Sequence, residues 1–212
     1  MQYFDVFIKN GLLLTMDSDN SLFEKGSLGI TGDSISYVGE SIEEMDGMEI
    51  IDAKGGIVLP GLINGHTHAA MTLFRGLADD LPLMEWLNQY IFPAESRIDS
   101  HFVYIGTLLA CAEMIMSGTT TFCDMYLFEG DAARAAKDAG MRCLVGEVLY
   151  DFDSPNYGSV ENGLGRIPLR SARAEPNTLR ICVLPIWLTG RLCSAKERMR
   201  EFFLWIYREP KP

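Results

Sequence analysis

From residue 60 onward the sequence alternates apolar, β-branched runs with longer helical patterns, and this alternation leaves few folds open. Residues 60–64 read as a buried strand running into Gly65-His66-Thr67-His68, and residues 81–90 predict a helix. Asp99 and Ser100 can cap a longer helix with an apolar stripe of Phe102, Ile105, Leu108, Leu109, Ala112, Ile115 and Met116. Gly118 stands where a helix-terminating glycine belongs. A strand over 119–123, an alanine-rich helix over 131–139 stopped by Gly140, and a strand over 142–149 come next. Such an order implies parallel strands joined by right-handed crossovers. A doubly wound sheet and a barrel both satisfy it, and periodicity does not choose between them.

The first 59 residues keep a different rhythm. Residues 4–8 alternate and meet Asn10-Gly11, a strong hairpin signal, ahead of Leu12-Leu13-Leu14-Thr15. A second hairpin is expected over 27–38 around Gly32-Asp33, and short strands over 49–52 and 55–59 complete a small all-β unit. This unit reads better as a flank to the α/β alternation than as a free-standing domain. The expected division is a β flank over 1–59, an α/β region over 60–162 and a tail over 163–212.

Charge narrows the partners. The net charge of −11 disfavours nucleic acid and anionic membrane surfaces. Residues 1–162 hold 8 Lys/Arg against 25 Asp/Glu, whereas residues 163–212 hold 10 against 4, so the sign reverses in the tail. The 5 cysteines form no C-x-x-C pair, and the start has no charged-then-apolar leader. Unpaired thiols and a cytoplasmic setting are expected. No apolar run reaches the ~18 residues of a membrane span.

The informative triplet is His66-Thr67-His68. Residues two apart on a strand point to the same side, so both imidazoles can reach one cation. Imidazole suits zinc and neighbouring transition metals, and two such ligands leave room for further ligands and water. A bare H-x-H is more often a pair of histidines lining a surface turn. Here an apolar run closes on Gly65 and empties into the triplet, a demanding context for a surface turn.

The run Pro60-Gly61-Leu62-Ile63-Asn64-Gly65-His66-Thr67-His68 resembles the first barrel strand of the amidohydrolase superfamily. Met71-Thr72-Leu73-Phe74-Arg75-Gly76-Leu77-Ala78-Asp79-Asp80, then Trp86-Leu87, then Ile91-Phe92-Pro93-Ala94-Glu95 narrow it further. They are similar to the branch holding the 5-methylthioadenosine/S-adenosylhomocysteine deaminases and the s-triazine hydrolases, as is Ser117-Gly118-Thr119-Thr120-Thr121-Phe122-Cys123-Asp124-Met125-Tyr126. The resemblance implies the first three or four strands of a (β/α)8 barrel preceded by a small β-sandwich unit. It implies that His66 and His68 bind a divalent metal, commonly zinc, and that Glu95 binds an aminopurine nucleoside, a carboxylate being a good acceptor for the ribose diol. The activity implied is hydrolytic deamination of an adenosine-type ring, with a triazine chlorohydrolase, a guanine-type deaminase or a non-catalytic remnant as alternatives.

Other residues carry weaker signals. His101 at a helix start reads as a solvent or capping residue, and Asp79-Asp80 as a loop. Asp124 can support a metal ligand from behind or cap a strand end. After His101 the sequence contains no histidine, so the further ligands and the general acid–base of this chemistry are not supplied by it. Leu184-Pro185-Ile186 stands about where the resemblance implies a proline followed by a substrate-binding histidine. From Gly165 the chain becomes arginine-rich, and with the charge reversal this suggests a shifted or early-ended reading frame. A barrel begun but not closed has open strand edges through which self-association is expected.

Overall fold

The computed structural model describes residues 2–41, 44–150, 152–166, 180–181 and 186–188. The arginine-rich run and Leu184-Pro185 therefore lie outside the described residues, or are described in backbone only. The chain divides into two compact units, Met1–Leu62 and Ile63–Pro212.

The first unit holds strands β1 (Gln2–Leu14), β2 (Leu22–Thr31), β3 (Ser34–Glu40), β4 (Met45–Asp52) and β5 (Ile57–Val58). They form one mixed sheet in the order β3-β2-β1-β4, with β5 also on β1. Expected as a small sandwich, the unit presents one sheet among the described residues. Phe4, Phe7 and Leu13 are its buried apolar side chains, and Phe4 stacks on Phe7 with ring centres 5.7 Å apart. The hairpin at Gly32-Asp33 is present, with Gly32 at φ +62°.

The hairpin expected at Asn10-Gly11 is not. β1 runs straight through it, and the pairing with β2 shifts register between Ile8 and Gly11. Asn10 takes φ +58°, its side chain donates to Asp52 at 3.0 Å, and its carbonyl accepts from Gly55 N–H at 2.7 Å. A left-handed residue in a long strand makes a bulge when both neighbours keep their partners. The same dipeptide signal thus serves either outcome, and the long-range pairing decides.

The second unit is an α/β layer. Strands β6 (Leu62–Thr67), β7 (Thr119–Tyr126), β8 (Arg142–Tyr150) and β10 (Ile186–Leu188) lie in the order β10-β8-β7-β6, with β9 (Arg180–Ile181) also on β8. β7, β9 and β10 all run parallel to β8. Helices α1 (Leu83–Glu95), α2 (Ser100–Met116), α3 (Glu129–Asp138) and α4 (Val160–Arg166) fall between the strands.

Helix α1 runs past the expected end at residue 90 because a π turn over Leu87–Ile91 carries the chain into Pro93. Proline has no N–H to place in the ladder, and a widened turn accommodates that. Helix α2 begins as expected, with the Asp99 side chain accepting from Phe102 N–H at 2.8 Å. Its buried face is not the predicted stripe. Val103, Gly106, Thr107, Ala110 and Cys111 face inward, while Ile105, Leu109, Ile115 and Met116 are exposed. Small residues win because the helix approaches the turn after β6 closely. A Cβ on Gly106 would lie 2.5 Å from the Ala70 carbonyl oxygen.

Helix α3 packs through Ala132, Ala133, Ala135 and Ala136. Its start is strained, since Phe128 holds φ +56°, uncommon for a residue with a side chain. Glu147 on β8 secures it by accepting from Phe128 N–H at 3.1 Å and Glu129 N–H at 3.0 Å. Asn156 donates to the same carboxylate at 2.5 Å.

The packing of α2 and the buried carboxylates each give an expected outcome. Gly106→Ala should lower stability by about 1–3 kcal/mol, the range for overpacking. Gly130→Ala, where an added methyl meets nothing within 4 Å, should be neutral or stabilising, and denaturant titration of both variants checks the contrast. The second outcome concerns pH. Burial pushes the Glu129 carboxyl well above its ordinary 4.5, aided by the charges of Asp124 and Glu147, and burial raises Glu147 too. The folded state then binds more protons than the unfolded chain above pH 4.5, so stability falls as pH rises from there through the raised values. The melting temperature should drop as pH rises above the ordinary carboxylate value of 4.5, and Glu129→Gln should flatten that profile.

Candidate functional site

The ends of the parallel strands gather the chemistry. β6 ends at Thr67, so His68 lies one residue beyond the strand, where it opens a 3-10 turn over Ala69–Phe74. His66 is exposed and its N–H is taken by the Asn64 side-chain oxygen at 3.3 Å. His68 is half-buried. Despite the strand's early end, the two rings meet edge to face with centres 5.1 Å apart.

One contact sets the chemical state of His68. Its Nδ1 lies 2.6 Å from the carbonyl oxygen of Met125 on β7. A carbonyl can only accept, so the proton sits on Nδ1 and the Nε2 lone pair is left available. Burial also holds the His68 pKa below its ordinary value, which favours the neutral ring that a metal needs.

The pair fits part of a metal shell. Two imidazoles on one tetrahedral zinc, each about 2.0–2.1 Å from the ion, place their ring centres roughly 5 Å apart. No group of three or more His, Cys, Asp or Glu side chains able to hold an ion occurs among the described residues. His101 is exposed, as are Asp79 and Asp80.

Glu95, at the end of α1, is 5% exposed, so it is not the solvated glutamate that its neighbourhood in sequence allows. The Tyr150 hydroxyl donates to its Oε2 at 3.2 Å. Burial raises the Glu95 pKa, opposed by the nearby hydroxyls of Tyr126 and Tyr150. Tyr126 links the two parts of the site: its ring centre is 6.4 Å from that of His68, and its hydroxyl is felt by Glu95 without an aligned hydrogen bond.

Asp124, on β7, is 2% exposed. Its Oδ1 accepts from Ala69 N–H at 3.0 Å and Met125 N–H at 3.1 Å, while Oδ2 is buried without a hydrogen-bond partner. Burial pushes its pKa up to about 7.

Sequence reasoning did not single out Tyr126 or Tyr150. Each closes a parallel strand, at the end where α/β proteins build sites, and that position was the one usable signal.

The chain is similar to known proteins. The profile of the amidohydrolase family matches residues 57–181, and so extends beyond residue 162. A 5-methylthioadenosine/S-adenosylhomocysteine deaminase of Syntrophobacter fumaroxidans is 60% identical over 163 residues, covering 76% of this chain and 37% of that protein. A protein named 5-methylthioadenosine/S-adenosylhomocysteine deaminase 1, of Syntrophus aciditrophicus, is 50% identical over 196 residues, covering 86% of this chain and 44% of its own. Among solved structures, an adenosine deaminase from Xanthomonas campestris with bound zinc superposes with a TM-score of 0.80 at 32% identity, over 87% of this chain and 43% of that one. The chain thus spans under half the length of these relatives, and its α/β unit is part of the amidohydrolase barrel. With the family profile matched over residues 57–181 and the strand-end histidines inside that match, this chain belongs to the amidohydrolase family.

Proposed function

We propose that this chain carries the first metal ligands and a substrate-gripping carboxylate of a hydrolase that removes the exocyclic amine of an adenosine-type nucleoside, 5-methylthioadenosine or S-adenosylhomocysteine. The observation that carries the reading is the edge-to-face pair of His66 and His68, with Nδ1 of His68 engaged and Nε2 left for a cation. The names of the Syntrophobacter and Syntrophus relatives support the substrate class, and the zinc in the Xanthomonas structure supports the metal.

His66 and His68 would hold the ion, zinc in this reading. When bound, it supplies the Lewis acidity that makes water nucleophilic at neutral pH. The chain's own residues do the positioning. Met125 O fixes the His68 ring, and Tyr150 holds one oxygen of Glu95. Glu95 then accepts from the vicinal ribose hydroxyls, and its burial strengthens that bond by excluding water. No proton carrier for ammonia release is assigned among the described residues. The chain alone, given zinc, is therefore expected to bind nucleoside without turning it over.

Calorimetric titration of the zinc-loaded chain with 5-methylthioadenosine tests the reading. Its 2′,3′-dideoxy analogue should bind about 10-fold more weakly, in keeping with loss of hydrogen bonds to a charged group. Glu95→Gln should shrink that gap, and His68→Ala should weaken zinc binding by at least about 10-fold. Equal affinity for the two nucleosides, or zinc binding indifferent to His68, would contradict it. Ammonia release by the chain would contradict the view that its proton carrier lies elsewhere.

A further inference from the structure

Metal-ligand histidines need their rings fixed, and the fixing group here is two bonds removed from the ring. Met125 O accepts a hydrogen bond from His68 Nδ1–H at 2.6 Å. A single oxygen, Asp124 Oδ1, accepts both the Met125 N–H at 3.1 Å and the N–H of Ala69, the residue next to His68, at 3.0 Å. One atom therefore pins the peptide that follows the histidine and the residue whose carbonyl accepts its hydrogen bond. Both ends of the pin are out of water, Ala69 being 1% and Asp124 2% exposed. With Oδ1 gone, the Ala69 N–H would be buried without a partner, and the turn after β6 would have to move to find one.

We propose that Asp124 is the positioning residue that locks His68 in its Nδ1–H tautomer and so keeps Nε2 turned out for metal. This rests on the reading of His68 as a ligand. Asp124 acts through the backbone of residues 69 and 125. The role asks only for an acceptor oxygen at Oδ1. The second oxygen has no hydrogen-bond partner.

The test is the histidine tautomer in the metal-free chain, read from imidazole nitrogen NMR shifts, with His68 signals assigned by their loss in His68→Gln. The unaltered chain should show the Nδ1–H form at His68. Asp124→Asn, which keeps the acceptor oxygen, should preserve that form and bind zinc within about 3-fold of the unaltered chain. Asp124→Ala should give a mixture of tautomers and about 10- to 100-fold weaker zinc binding, the usual cost of losing support behind a ligand. An Nε2–H form in the unaltered chain overturns the proposal, as does Asp124→Asn losing the tautomer. Both hold even if Asp124→Ala does not fold. A folded Asp124→Ala with unchanged tautomer and zinc affinity overturns it as well. If Asp124 governs the tautomer but no variant binds zinc, the positioning role stands and the metal assignment falls.

Discussion

The hydrogen bond from His68 Nδ1 to Met125 O depends on β6 and β7 being neighbours in one sheet, and most of the site depends on it in turn. Parallel neighbours end at the same side, so the residues that leave β6, β7 and β8 share a rim without any direct sequence proximity. Tyr126 and Glu147 are register partners across β7 and β8, and one faces Glu95 while the other secures the start of α3. A histidine on the outermost residue of an isolated strand would have no such acceptor and no fixed tautomer.

The interior behind that rim is polar for its depth. Asp124 and Glu129 are both under 4% exposed and carry oxygens with no hydrogen-bond partner among the described residues, an arrangement that raises both pKa values. Burying such groups costs stability unless they are neutral or bonded. Asp124 is bonded at one oxygen to the two peptide groups that frame His68, which gives its burial a purpose. The position of Glu129 beside the left-handed Phe128 puts strain and buried charge at the same turn, next to the strand end that carries Tyr126.

How much of this was legible from sequence differs by residue. The β-α-β order, the caps at Asp99 and Gly118 and the pairing of His66 with His68 follow from local patterns, and all are present. Asn10-Gly11 misled because a left-handed asparagine serves a bulge as readily as a hairpin turn. The stripe on α2 misled because hydrophobicity was weighed over size: Gly106, Ala110 and Cys111 permit the close approach that Ile105 and Leu109 forbid. The burial of Glu95 depended on α1 continuing through Pro93, which a π turn allows and a simple proline rule does not. Tyr126 and Tyr150 became legible only once β7 and β8 were in register. Their convergence on Glu95 is a property of the sheet and of no single segment.

In the proposed site His66 and His68 face one cation together. X-ray absorption at the zinc edge of the zinc-loaded chain tests it most directly. The account predicts two imidazole nitrogens at about 2.0–2.1 Å from the ion, with light oxygen scatterers completing the shell. A shell of oxygens alone, or a sulfur at about 2.3 Å, would place the ion elsewhere and contradict it.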